Sequence, residues 1–121
     1  MNLVAVYGTL KKGLCNHHLL QSARYLGNDV IHSLVLYDLG PYPGAKPESS
    51  QGIEIEVYLV SEATLADLDA LEECNLQQPD QGMYRRDALP TRYGLAWVYV
   101  YNRSVQGCAR LDQGAWLPQI A

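Results

Sequence analysis

A chain of 121 residues, 48% of them hydrophobic and with a net charge of −4, is material for a single domain over residues 1–121, because two halves could not each bury an adequate core. The acidic balance speaks against a nucleic-acid partner: Lys11-Lys12 and Arg85-Arg86 are the only basic doublets and are too short to form a basic stripe. No apolar run reaches the roughly 18 residues of a spanning helix, and lipidation motifs are absent, so no membrane partner is expected and the cytoplasm is the expected compartment.

The first element is an apolar strand, Leu3-Val4-Ala5-Val6, which reads as the start of the fold and not as a signal peptide, having no basic lead-in and no cleavage signature. It runs directly into Tyr7-Gly8-Thr9-Leu10. A strand ending in Gly-Thr leaves backbone N–H groups bare, and such a nest of donors suits a carboxylate; the alternative is an ordinary glycine turn. Leu14 to Leu20 reads as a short helical turn. Arg24 to Tyr37 holds two short strands, paired around Gly27-Asn28-Asp29 or around His32-Ser33. Gly40 to Pro47 carries three prolines in eight residues, which rules out a central strand and predicts a stiff surface loop.

Gly52 to Val60 alternates apolar and mostly polar residues, the period of a half-buried strand. It feeds into the one clear helix, Ser61 to Glu73, with Ser61 as N-cap, Glu62 at the positive helix start and leucines at 65, 68 and 71. Tyr84 to Pro90 and Tyr93 to Tyr101 give two more strands, the second apolar on both faces and so expected at the centre of a sheet or in a barrel wall. The tail from Val105 is irregular, with Trp116 docking on the core.

The three cysteines, Cys15, Cys74 and Cys108, are odd in number and widely spaced, which predicts reduced thiols and neither a disulfide framework nor a zinc site. His17, His18 and His32 have no metal-ligand spacing, and surface or capping roles are expected of them. Nine tyrosines with no phenylalanine suit a pocket for a polar ligand, although β propensity explains most of them.

The sharpest chemical signal is in the helix. At about 100° per residue the leucine stripe centres near Leu68, and Glu72 falls only about 40° from that centre, whereas Glu73 lies roughly 140° away and Asp69 about 100° off. A carboxylate facing the core is costly to ionise, and its pKa rises toward the range useful for general acid/base chemistry. The alternatives are a fraying last turn that releases Glu72 to water, or a neutralising pair with Arg85 or Arg86. No nucleophile elbow and no phosphate-binding glycine loop is present.

Tyr7-Gly8-Thr9-Leu10, Leu68-Asp69-Ala70-Leu71-Glu72 and Gly82-Met83-Tyr84-Arg85, in this order and with these separations, resemble the gamma-glutamylcyclotransferase-like superfamily, in its branch of small bacterial AIG2-like and gamma-glutamylamine cyclotransferase proteins. The resemblance runs over about the whole chain, the Leu36 to Pro43 segment included. It implies an α+β fold, a mostly antiparallel β-barrel with a few packed helices. It also implies that Tyr7, Gly8, Thr9 and Leu10 bind the glutamyl moiety, that Glu72 is the proton acceptor, that Tyr84, and with it Tyr42, lines the pocket, and that no metal or other cofactor is needed. The implied reaction is an intramolecular aminolysis of a gamma-glutamyl amine or amino acid, giving 5-oxoproline and a free amine. One departure stands out: the position after the glutamate is often glycine in that family and is Glu73 here, which opens a choice of register between Glu72 and Glu73 in which the stripe and the Leu-Asp-x-x-Glu spacing favour Glu72.

Two further readings accompany the enzyme. One is a non-catalytic binding module for a small gamma-glutamyl or carboxylate metabolite, and the other is removal of a gamma-glutamyl protecting group from a biosynthetic intermediate. The partner expected in each case is a small molecule, and the chain is expected as a monomer or weak homodimer.

Overall fold

The computed structural model describes residues 2–111 and 114–116. Its strands are β1 (Asn2–Val6), β2 (Arg24–Ile31), β3 (Leu34–Asp38), β4 (Pro43–Pro47), β5 (Ile53–Val60), β6 (Tyr84–Thr91), β7 (Gly94–Tyr101) and β8 (Ala109–Arg110). They accompany one α-helix among the described residues, α1 (Glu62–Leu71), and two short 3₁₀ turns at His17–Leu20 and Pro79–Gln81. Five strands form one sheet in the order β2-β5-β1-β7-β6, and β4-β3-β8 form a second. All the pairings are antiparallel except that of β1 with β7.

The α+β class holds, but the strands do not close into one barrel. The two outer strands of the large sheet, β2 and β6, meet without a ladder: where the β6–β7 turn approaches β2, the Arg92 N–H donates to the Asp29 carboxylate at 2.8 Å. Pro90 sits in β6, where it has no N–H to offer a further strand.

Period-two alternation builds two apolar layers. Ala5 and Tyr7, Ile53, Ile55 and Val57, and Ala96, Val98 and Val100 face the small sheet and pack with Leu34, Leu36 and Ala45. Val4 and Val6, Tyr58 and Val60, and Tyr99 point the other way, onto Leu65 and Leu68 of α1 and onto Leu20. The doubly apolar β7 therefore lies inside the sheet with both faces covered, as its sequence predicts.

Three local expectations change. The strands within 24–37 are not partners: the chain corners at His32-Ser33, sending β2 to β5 and β3 to the other sheet. Pro43–Pro47 is a strand, with Pro43, Gly44 and Ala45 buried. It is an edge strand, with prolines at both ends, so the ban on proline holds only for central positions. The tail contributes the short β8, and Trp116 is buried.

Candidate active site

Helix α1 opens on Ser61, whose Oγ accepts from the Thr64 N–H at 3.1 Å, as an N-cap should. It closes at Glu72, whose amide still donates to the Leu68 carbonyl at 3.0 Å. The Glu73 amide then donates to Ala70 and the Cys74 amide to Asp69, the paired bonds of a Schellman turn. That motif needs a left-handed residue just past the helix, and Glu73 occupies it with φ of +50°. Glycine is the residue that reaches this φ without strain, and Glu73 reaches it at a cost. The turn does not fray, and Glu72 is held at the helix end.

The end of α1 is clamped from the side. Gly82 passes so close that a Cβ on it would stand 2.5 Å from the Glu73 carbonyl oxygen, and the Met83 amide donates to that same oxygen at 3.0 Å. Asn102 fixes this crossing by donating to the carbonyls of Pro79 and Gly82.

Glu72 faces a cavity of about 220 Å³ at the end of β1. Neither candidate arginine reaches the carboxylate. Arg85 pairs with Asp87 at 3.3 Å, and Arg86 Nε lies 3.0 Å from Asp69 Oδ1. Tyr99 Oη donates to that same Asp69 oxygen at 2.7 Å, and the Arg86 guanidinium stacks over Trp97. With no cation paired to it among the described residues, burial pushes the Glu72 carboxyl up to about 7.

Across the cavity lies the loop that follows β1. Its carbonyls are taken: Gly8 O by the Lys11 amide, Thr9 O by the Asn16 amide, and Leu10 O by His17 Nδ1 at 2.9 Å. The amides of Gly8, Thr9 and Leu10 have no acceptor among the described residues, so the loop presents donors. Asn16 Nδ2 also donates to Thr9 Oγ1 at 2.9 Å. Gly8 is required by close approach, since a Cβ there would sit 2.9 Å from the Pro43 ring.

The tyrosines divide their labour. Tyr7 lines the cavity with its ring, while its hydroxyl donates to the Tyr99 carbonyl at 2.6 Å and accepts from the Ala45 amide at 3.2 Å. That oxygen is a structural junction, and burial holds its proton firmly in place. Tyr84 Oη donates to the Pro43 carbonyl at 2.8 Å, which leaves the oxygen's acceptor capacity for a ligand.

All six residues singled out in the sequence, Tyr7, Gly8, Thr9, Leu10, Glu72 and Tyr84, therefore line one cavity, and so does Tyr42. Sequence reasoning missed Asn16, Tyr99 and Leu71 on the same walls, and it turned Glu73 away from them, whereas Glu73 is exposed and also lines the cavity. Leu71, assigned to the buried stripe, is 38% exposed and ends at the cavity rim. The three cysteines are free, and burial pushes the Cys74 thiol up, away from the reactive thiolate. Among the described residues no cluster of His, Cys, Asp or Glu could hold a metal ion, and no helix is long and apolar enough to cross a membrane.

A family model described as gamma-glutamyl cyclotransferase, AIG2-like, matches residues 4–118. The chain belongs to this family. It is 42% identical over 120 residues to a putative gamma-glutamylcyclotransferase of Vibrio cholerae, covering 98% of each chain. The solution structure of protein ytfP from Escherichia coli shares 42% identity and superposes with a TM-score of 0.74 over 95% of this chain and 96% of that one. A gamma-L-glutamyl-butirosin B gamma-glutamyl cyclotransferase of Niallia circulans is 36% identical over 103 residues, which is 81% of this chain and 65% of that protein.

Proposed function

We propose that this family member is an active gamma-glutamyl cyclotransferase that uses Glu72 as its general acid/base. The observation that carries the reading is a buried carboxylate with no ion-pair partner among the described residues, raised to about 7 by burial, facing a loop of bare amide donors across a small cavity. The donors of Gly8, Thr9 and Leu10 receive the substrate's α-carboxylate and fold the gamma-glutamyl arm back on itself.

The α-ammonium gives one proton to Glu72, and the freed nitrogen attacks the side-chain carbonyl carbon. A carbon–nitrogen bond forms, and amides of the loop stabilise the negative oxygen that results. Glu72 returns its proton to the departing nitrogen as the original amide bond breaks. The surplus proton on the new ring nitrogen leaves through the regenerated carboxylate. The products are 5-oxoproline and a free amine, and the protein contributes geometry and one proton relay.

The test is 5-oxoproline release from a panel of gamma-glutamyl amines and amino acids. Wild type turns over at least one of them, Glu72→Gln loses on the order of 100-fold or more in rate, and Glu73→Gln stays within a few-fold of wild type. Equal losses in the two variants would sink the assignment of the base. Tight calorimetric binding of a gamma-glutamyl ligand without turnover by wild type would identify a binding module instead.

A further inference from the structure

A second concavity adjoins the site. It measures about 400 Å³ and is walled by Thr9, Gly13 and Leu14 on one side and by Gly40 and Pro41 on the other, with Trp116 among its lining. Thr9 belongs to both this groove and the Glu72 cavity. The 40–43 loop also serves both, with Tyr42 and Pro43 in the cavity and Gly40 and Pro41 in the groove.

We infer that this groove is the subsite for the leaving amine, and that it selects gamma-glutamyl derivatives of amines bearing an uncharged apolar or aromatic arm. The inference rests on the reaction proposed above. With the glutamyl portion on the amides of residues 8–10, an arm that passes Thr9 enters the groove directly.

The groove's walls are built to stay in place. Asn16 grips Thr9 through both its backbone and its hydroxyl, at 3.0 and 2.9 Å. The segment carrying Trp116 is tied to β5 by the bond from the Glu54 amide to Gly114 O at 2.7 Å. Trp116 itself is only 6% exposed, and its carbonyl is occupied by the Lys11 ammonium at 3.0 Å. Both Gly13 and Gly40 have positive φ and open space where a side chain would stand, so the walls there are bare backbone.

The lining chemistry sets the ligand class. Among the described residues no acid, lysine, arginine or histidine lines the groove, to which Thr9 brings a hydroxyl and the exposed Cys15 a thiol. A carboxylate or ammonium arm would lose water against Leu14, Pro41 and Trp116 without gaining a partner. An apolar ring gains by the same burial. Glu73 lines the Glu72 cavity and not the groove, and suits a cationic arm.

The experiment compares kcat/KM for three gamma-glutamyl substrates: the methylamide with no arm, the benzylamide with an aromatic arm, and gamma-glutamyl-glycine with a charged one. Wild type is expected to favour the benzylamide over the methylamide by roughly tenfold and to disfavour gamma-glutamyl-glycine. Leu14→Asp and Pro41→Asp, on facing walls, are each expected to cut the benzylamide-to-methylamide ratio by about tenfold. The ratio is internal to each variant, so partial unfolding leaves it unchanged. A ratio unmoved in both variants overturns the subsite, as does a ratio that responds only to Glu73→Lys, which places the arm beside Glu73. A wild-type preference for gamma-glutamyl-glycine overturns the apolar specificity. If none of the three yields 5-oxoproline while another gamma-glutamyl amine or amino acid of the wider panel does, the apolar specificity is overturned; if no member of that panel does, the reaction itself falls and the subsite with it.

Discussion

In the proposed reaction Glu72 ties catalysis and stability together through one proton. Because the free enzyme holds this carboxyl at about 7, kcat/KM should climb with pH and level off above that value as the base becomes ionised. The bound α-ammonium favours the ionised form, so the inflection in kcat should lie at lower pH than that in kcat/KM. The stability effect has the opposite sense. The folded protein holds this proton more tightly than the unfolded chain does, with a pKa of about 7 against 4.5. The contribution is therefore complete below about pH 4.5 and is lost as pH rises through about 7. Its size is at most about 3 kcal/mol. Thermal melts should show Glu72→Gln more stable than wild type at pH 8 and the gap closing toward pH 4.5, even as the variant loses turnover. A neighbouring substitution isolates backbone strain: Glu73→Gly relieves the positive φ and is expected to raise stability by about 0.5–1 kcal/mol in denaturant melts.

Placing that proton is the work of the elements around α1. The helix has a cap at its start and a Schellman turn at its end, but its orientation comes from outside it. Asp69 is the inner anchor, receiving Tyr99 Oη from β7 and lying against Arg86 from β6. Gly82 and Met83 form the outer clamp on the Glu73 carbonyl. Gly82→Ala drives a methyl group into that carbonyl, so the crossing must spread. The expected cost is about 1–3 kcal/mol, with a fall in kcat out of proportion to the fraction unfolded, measured at a temperature where the variant is still folded. Retention of full kcat would mean that Glu72 tolerates movement of its helix end. The helix itself was easy to read from sequence, because capping and leucine spacing are local signals. The clamp was not. Asp69 lies about 100° from the centre of the apolar stripe, a position that suggests solvent, and its partners come from strands that the helix alone cannot announce.

At the scale of the whole molecule the same division holds. β1, the run from β5 into α1, and the β6–β7 pair follow from short-range alternation and turns. Which strands become neighbours does not: 24–37 reads as a hairpin, yet its halves belong to different sheets, since the corner at His32-Ser33 is decided by what β5 and β4 bury. Pro43 and Pro47 disguise an edge strand that forms part of the cavity wall. Glu72, the 7–10 loop and Tyr84 were legible because burial pattern and motif spacing converge on them. The groove beside Thr9 was not, since it exists only where the 9–15 and 40–41 segments face one another.

The Tyr7 hydroxyl bonds at once to a backbone group of β7 and a backbone group of β4, and its ring is a wall of the Glu72 cavity. Many enzymes go silent on heating before they melt, because the working parts sit on segments that loosen early. Here the chamber cannot gape without parting the sheets that the tyrosine joins. Residual activity and ellipticity, followed on the same heated sample, should vanish together. Inactivation several degrees ahead of the melt would show that the loop after β1 lets go first, and that the tyrosine rivets the sheets without holding the chamber shut.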